Sequence, residues 1–162
     1  MSAAAWRTCD LSDAHGDALR IPLLPWRDYG GRVAFHGTLS TVRAFEDNSR
    51  VREAVHEPGA GRVLVVDAGG SLRRSMLGDL LAAKAVENGW AGLVIAGAIR
   101  DAAVIATLDL GVKALGTVPR KTERRDQGLR DVPVQIGGAT LRPGDWLAAD
   151  ADGIVVADHP LA

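Results

Sequence analysis

Residues 79 to 101 constrain the fold more tightly than any other stretch. From Asp79 to Asn88 the apolar positions Leu81, Ala82, Ala85 and Val86 recur on one face, while Lys84, Glu87 and Asn88 occupy another, so the segment predicts an amphipathic helix. Gly89 stops it. Ala91 to Ala96 (AGLVIA) then offers no polar position to solvent and predicts a short strand buried on both faces. A helix of about ten residues runs roughly 15 Å, and a strand of about six returns roughly 20 Å. The two ends therefore meet. Asp79, at a helix N-terminus, comes beside Arg100 and Asp101, just past the carboxyl end of a strand, where open α/β sheets bind ligands.

The flanking sequence extends the same succession. Strands are predicted at 62–66, 91–96 and 112–116, with helices at 79–88 and 101–108 between them, and this alternation implies a largely parallel core. Upstream, Asp10 to Leu19 predicts a helix capped by Asp10 or Ser12, and Pro22 and Pro25 end it. Trp26 to Gly31 reads as a turn, with Gly30 and Gly31 able to take positive φ, leading to strands at 32–35 and 38–45. Asp47-Asn48-Ser49 starts a short helix that ends before Pro58-Gly59. Downstream, 132–136 and 139–142 flank Gly137-Gly138 as a hairpin, and short strands at 146–149 and 154–157 flank Asp150-Ala151-Asp152-Gly153. The expectation is a single α/β domain over residues 1–162 with a mixed sheet and a loose terminus at 1–7.

Several function classes are disfavoured. Nineteen basic residues against twenty acidic leave a net charge of −1, which gives no reason to expect a nucleic-acid or membrane partner. Cys9 is the single cysteine and no apolar leader follows the N-terminus, so a reducing, cytoplasmic setting is expected. Gly59-Ala60-Gly61 precedes its strand instead of following it, unlike a dinucleotide loop. Asp150 to Gly153 lacks the glutamate that would close a calcium loop and reads as a turn. The histidines at 15, 36, 56 and 159 have no metal-type spacing and read as surface or core filler, and Ser71 and Ser75 lack a nucleophile-elbow context. The basic stretch Pro119 to Gly128 carries acidic residues and no aromatics, and reads as a solvated loop.

The chemistry of 78–101 points to an anionic ligand. Amides at Leu80 and Leu81 favour an anion at the helix start, Arg100 presents a planar fork to a carboxylate or enolate oxygen, and Asp101 is a hard oxygen ligand suited to magnesium or manganese. Read as structure alone, Asp79 is an N-cap and Arg100-Asp101 a surface pair.

The pattern of Asp79, twenty intervening residues and Arg100-Asp101 resembles that of the metal-dependent 4-hydroxy-4-methyl-2-oxoglutarate aldolases and their relatives, the regulators of ribonuclease E activity, together the RraA-like proteins. The resemblance also takes in Tyr29-Gly30-Gly31-Arg32, Thr41 to Asn48 (TVRAFEDN), Gly61 to Asp67 (GRVLVVD), Gly111 to Gly116 (GVKALG) and Arg142-Pro143-Gly144-Asp145-Trp146 through Asp152-Gly153, so that it covers about residues 8 to 157. It implies the swivelling β/β/α fold, a lyase that cleaves 4-hydroxy-4-methyl-2-oxoglutarate to pyruvate or decarboxylates oxaloacetate through a pyruvate enolate, and a divalent cation, Mg²⁺ or Mn²⁺, held by Asp101. Arg100 would bind the developing oxyanion and Asp79 would orient or deprotonate a water on the metal. Gly78, Asp79, Leu80, Leu81 and Arg100 would contact the 2-oxo acid, with Gly69 in a glycine-rich turn close by. The longer aldolases add an acidic residue from C-terminal sequence that this chain does not carry. A non-catalytic regulator binding ribonuclease E is the alternative reading. A homotrimer, stacked or not to a hexamer, is also implied, with Trp90 and Trp146 as apolar residues for an interface or a core.

Overall fold

The computed structural model describes residues 6–162. Its centre is a parallel array of β2 (Phe35–Arg43), β3 (Val63–Asp67), β4 (Gly92–Ile99) and β5 (Gly111–Thr117), lying in the order β5-β4-β3-β2. β1 (Arg27–Asp28) adds to β5 antiparallel; on the other side β9 (Trp146–Asp150) pairs antiparallel with the first half of β2 and carries β10 (Gly153–Ala157). β6 (Leu129–Arg130) pairs with the end of β2, and β7 (Val134–Ile136) with β8 (Ala139–Leu141) forms a separate hairpin turned by Gly137 and Gly138, both at positive φ. This is the mixed-sheet, helix-flanked arrangement of the swivelling β/β/α fold.

The period-two alternation in β3 explains the layering. Leu64 and Val66 enter one core with α2 (Ser49–Val55), α3 (Asp79–Glu87) and α4 (Ala102–Ile105), while Val63 and Val65 enter a second with Leu39, Val94, Ile136, Leu141 and Val156. Each such fully buried aliphatic side chain contributes about 1.5–3 kcal/mol. A third, smaller core packs Leu11 of α1 (Thr8–His15) and Leu19 over Trp146, Ala148 and Val155 on β9 and β10.

Several expectations are corrected. The first helix begins at Thr8 and gives way to a 3-10 turn at Gly16–Ala18; its start is held by Asp150, whose carboxylate accepts from Thr8 N at 2.8 Å and Thr8 Oγ1 at 2.6 Å, rather than by Asp10 or Ser12. Residues 1–5 of the expected loose terminus lie outside the described residues. The stretch read as a turn at 26–31 contains β1, while residues 32–34 carry only an isolated bridge from Arg32 to Gly111. Gly30 and Gly31 do not take positive φ; a Cβ at either would come within 2.0 Å and 2.3 Å of the Leu110 and Leu108 carbonyl oxygens, so close approach demands glycine there. β4 continues three residues beyond the expected end, across an irregularity between Ile95 and Ala98, and the helix expected over 101–108 is a single turn. Trp90 and Trp146 are 3% and 2% exposed within this one chain, so neither offers a surface to a second subunit. Among the described residues no helix is long and apolar enough to cross a membrane.

Candidate active site

β4 runs straight into the site. Ser75 bridges to Ala98, Met76 N donates to Ala98 O and Arg100 N donates to Leu77 O at 2.9 Å, so the segment leading into α3 is laid along the end of β4 by main-chain bonds. The start of α3 is thereby fixed beside Arg100. Gly78 is the extended N-cap, without a side-chain capping bond, and Asp79 is the first helical residue rather than the cap. A Cβ at Gly78 would stand 2.9 Å from Asp101 Oδ2 and 3.3 Å from Arg100 Nε, so a side chain there would push those two site groups aside.

Gly78, Asp79, Leu80, Leu81 and Arg100 line one cavity of about 820 Å³. Leu80 is 80% exposed while Leu81 turns into the core, so these two positions offer their amides rather than a shared apolar wall. By α-helical geometry the N–H groups of Leu80 and Leu81 have no acceptor inside the helix. Arg100 reaches across to Pro119 O at 3.4 Å.

Asp101 is set apart from that wall. Its backbone is left-handed (φ 57, ψ 38), a conformation in which aspartate is tolerated but which is uncommon outside glycine, and it caps α4. Its Oδ2 accepts the Asp79 N–H at 3.0 Å and lies 3.9 Å from Arg100 Nε. Among the described residues no group of three His, Cys, Asp or Glu could hold a metal ion. One free carboxylate oxygen is a poor zinc site but an adequate foothold for magnesium or manganese, which keep several waters and take further oxygens from substrate. The residues present fit such an ion. Gly69 sits in the turn after β3, with its N–H on Asp67 Oδ1 at 3.0 Å, outside the cavity wall.

The remaining wall comes from residues that sequence reasoning did not connect to the site. α2 supplies Arg52, the residues flanking it supply Asn48 and His56, α3 adds Lys84, and the loop read as solvated supplies Lys121, Thr122, Glu123 and Arg124. His56, read as filler, is thus at the cavity. With Arg100, the lining cations Arg52, Lys84, Lys121 and Arg124 outnumber the lining carboxylates Asp79 and Glu123. Lys84 is paired with Glu87, and Glu123 with Arg125. The excess positive charge suits an anion bearing more than one charge.

Two buried polar residues hold that loop. Asp47 Oδ1 accepts from Ser49 N at 2.8 Å, and its Oδ2 from Arg125 N at 2.7 Å and Gln127 N at 3.3 Å. Burial alone would raise the Asp47 carboxyl, but the bonds from Ser49, Arg125 and Gln127 outweigh it and hold it below the usual aspartate value. Asn48 Oδ1 accepts from Thr122 Oγ1 at 2.7 Å and Arg124 Nε at 3.0 Å, and Asn48 Nδ2 donates to Met76 O at 3.3 Å. The only sequence signal was the cluster of basic residues at 120–125; nothing local tied it to α3.

Comparison with known proteins adds to this geometry. The RraA-like family model, described as Aldolase/RraA, matches residues 8–156. A protein of Alkalilimnicola ehrlichii provisionally named 4-hydroxy-4-methyl-2-oxoglutarate aldolase is 57% identical over 154 residues, covering 95% of this chain and 96% of its own. Among solved structures, one from Geobacillus kaustophilus, described as an S-adenosylmethionine:2-dimethylmenaquinone methyltransferase, superposes with a TM-score of 0.94 at 47% identity, covering 96% and 97% of the two chains. The RNA-processing inhibitor RraA from Thermus thermophilis superposes with a TM-score of 0.93 at 41% identity, covering 100% and 96%.

Proposed function

Because the chain belongs to the RraA-like family, we propose that it is a divalent-metal-dependent carbon–carbon lyase, cleaving 4-hydroxy-4-methyl-2-oxoglutarate to two pyruvates and decarboxylating oxaloacetate through the same pyruvate enolate. The observation that carries this reading is the meeting of Asp79, Arg100 and the open amides of α3 in one cation-lined cavity. Both substrates are dianionic 2-oxo acids. An excess of cations favours them over S-adenosylmethionine, whose sulfonium is positive.

In this reading the Leu80 and Leu81 amides bind the carboxylate next to the keto group, and Arg100 donates to the keto oxygen as it gains charge. Asp101 would hold the cation, which when bound supplies Lewis acidity to the 2-oxo carbonyl. In the aldol cleavage the C4 hydroxyl loses its proton, the C3–C4 bond breaks, C4 becomes the keto carbon of one pyruvate, and the electron pair enters the enolate of the other. Asp79 accepts the hydroxyl proton through an oriented water and returns a proton to C3. With oxaloacetate the bond broken is that to the departing carbon dioxide, no hydroxyl proton is removed, and C3 takes its proton from solvent through the same oriented water.

The deciding experiment measures pyruvate released from oxaloacetate with magnesium or manganese, against free metal ion at equal concentration. Wild type faster than an Asp101→Asn variant, with the activity abolished by EDTA, supports the lyase. Equal rates move the assignment to a regulator that binds ribonuclease E, a reading favoured by the structural likeness to the Thermus RNA-processing inhibitor. Direct RNA binding is not expected with a net charge of −1. We also propose a homotrimer or hexamer, which sedimentation tests.

A further inference from the structure

The lyase reading accounts for one end of a dianionic substrate and leaves the other unassigned. Part of the cavity wall is built by Lys121 to Arg124, in a loop from Pro119 that is attached at both ends. Its start lies against Arg100 through Pro119 O, its middle is joined to the segment before α3 by Ser75 N on Arg120 O at 2.7 Å, and its far end rests on Asn48. Pro119 and Arg124 are five residues apart, at most about 18 Å of extended chain. The loop therefore keeps the Arg124 guanidinium in the wall of the same cavity that Arg100 lines.

Arg124 and its neighbour Arg125 differ in a telling way. Arg125 is neutralised by Glu123 at 3.0 Å and does not line the cavity. Arg124 lines it, has no carboxylate within ion-pair distance among the described residues, and spends its Nε on Asn48 Oδ1 at 3.0 Å. Asn48 is itself only 7% exposed and cannot swing away, because its Nδ2 donates to Met76 O and its Oδ1 also accepts from Thr122 Oγ1. A guanidinium fixed through Nε keeps its two terminal nitrogens for a ligand, in the fork geometry that grips a carboxylate through two parallel bonds.

We propose that Arg124, aimed by the positioning residue Asn48, binds the second carboxylate of the substrate and so selects dianionic over monoanionic 2-oxo acids. This rests on the lyase reading for the orientation of the 2-oxo acid end.

The test is calorimetric titration of the full chain in magnesium with 2-oxoglutarate, a dianion that this chemistry cannot cleave, and with pyruvate. Wild type is expected to bind 2-oxoglutarate about tenfold more tightly than pyruvate, the scale of one charge-assisted bidentate contact. Arg124→Gln should bring that ratio close to one and leave pyruvate affinity in place. Arg125→Gln, which removes the same charge one residue away, should leave the ratio unchanged. Asn48→Ala should lower the ratio without lowering pyruvate affinity, a pattern that simple loss of structure would not give. If that variant fails to fold, Thr122→Val, which removes one of the two bonds on Asn48 Oδ1, should move the ratio the same way. A ratio retained in Arg124→Gln, or lost equally in Arg125→Gln, overturns the subsite while pyruvate binding still supports the lyase. If wild type binds neither acid, the lyase reading falls and the subsite with it.

Discussion

Helices α2 and α3 both begin at the cavity, and at each a carboxylate accepts the first helical amide, but the two carboxylates are placed differently. At α2 the protein supplies its own acceptors: Asp47 takes the Ser49 amide and hydroxyl, and the same carboxylate ties down the Arg125 and Gln127 amides. At α3 the cap is a glycine without a side chain, the first amide is taken by the exposed Asp101, and the next two residues line the cavity. The first helix end is tied into the structure, because its buried carboxylate is already bonded to two loop amides. The second retains anion-binding capacity that a capping serine or aspartate would have used up. Two aspartates beside one cavity thus serve different ends, and the difference lies in burial and in how many amides each has already accepted.

The comparison can be tested by breaking each end in turn. Asp101→Asn should have the largest effect, bringing oxaloacetate decarboxylation down to the rate of free metal ion; equilibrium dialysis should show the matching loss of manganese binding. Arg100→Ala should lower kcat by about 10²-fold, as for loss of an oxyanion donor, with metal binding kept. Gly78→Ala leaves an allowed extended backbone but pushes a methyl group against the Asp101 carboxylate and the Arg100 stem. It should lower kcat/KM roughly tenfold through misplacement, with a far smaller change in Tm.

Asp47→Asn should do the reverse, costing about 1–2 kcal/mol in urea unfolding with activity least affected. Its pH dependence has a definite sign. The folded Asp47 carboxyl sits below its ordinary value, so its contribution is complete above the unfolded pKa, about 3.9, and is lost as pH falls through the lower folded value. Wild type should therefore lose stability more steeply than Asp47→Asn in that acid window. Parallel acid-unfolding curves would show that Asp47 does not clamp the loop.

Much of the frame was legible because it is local and periodic. Leu64 and Val66 against Val63 and Val65 mark a strand buried on both faces, and Leu81, Ala82 and Ala85 mark the inward face of α3. The proximity of Asp79 to Arg100 followed from helix and strand lengths alone, even though β4 runs three residues further than its apolar run suggested. The wall built by 119–124 was not legible. Its position depends on Asp47 and Asn48, more than seventy residues away, and such pairings leave no periodic trace. β1, only two residues long, is likewise defined by its partner β5 rather than by its own sequence.

The main-chain stitching around Ser75 has a further consequence. One bridge joins it to Ala98 and another to Lys121, so the segment before α3 acts as a short rail between the end of β4 and the loop. The two sides of the cavity are registered by peptide groups, which every amino acid other than proline carries alike. Side chains projecting from Arg100, Lys121 and Arg124 can be exchanged without unpicking that rail. The lining is interchangeable while the frame is not, and a chain built this way can acquire a new ligand by surface substitutions that leave its folding unaffected.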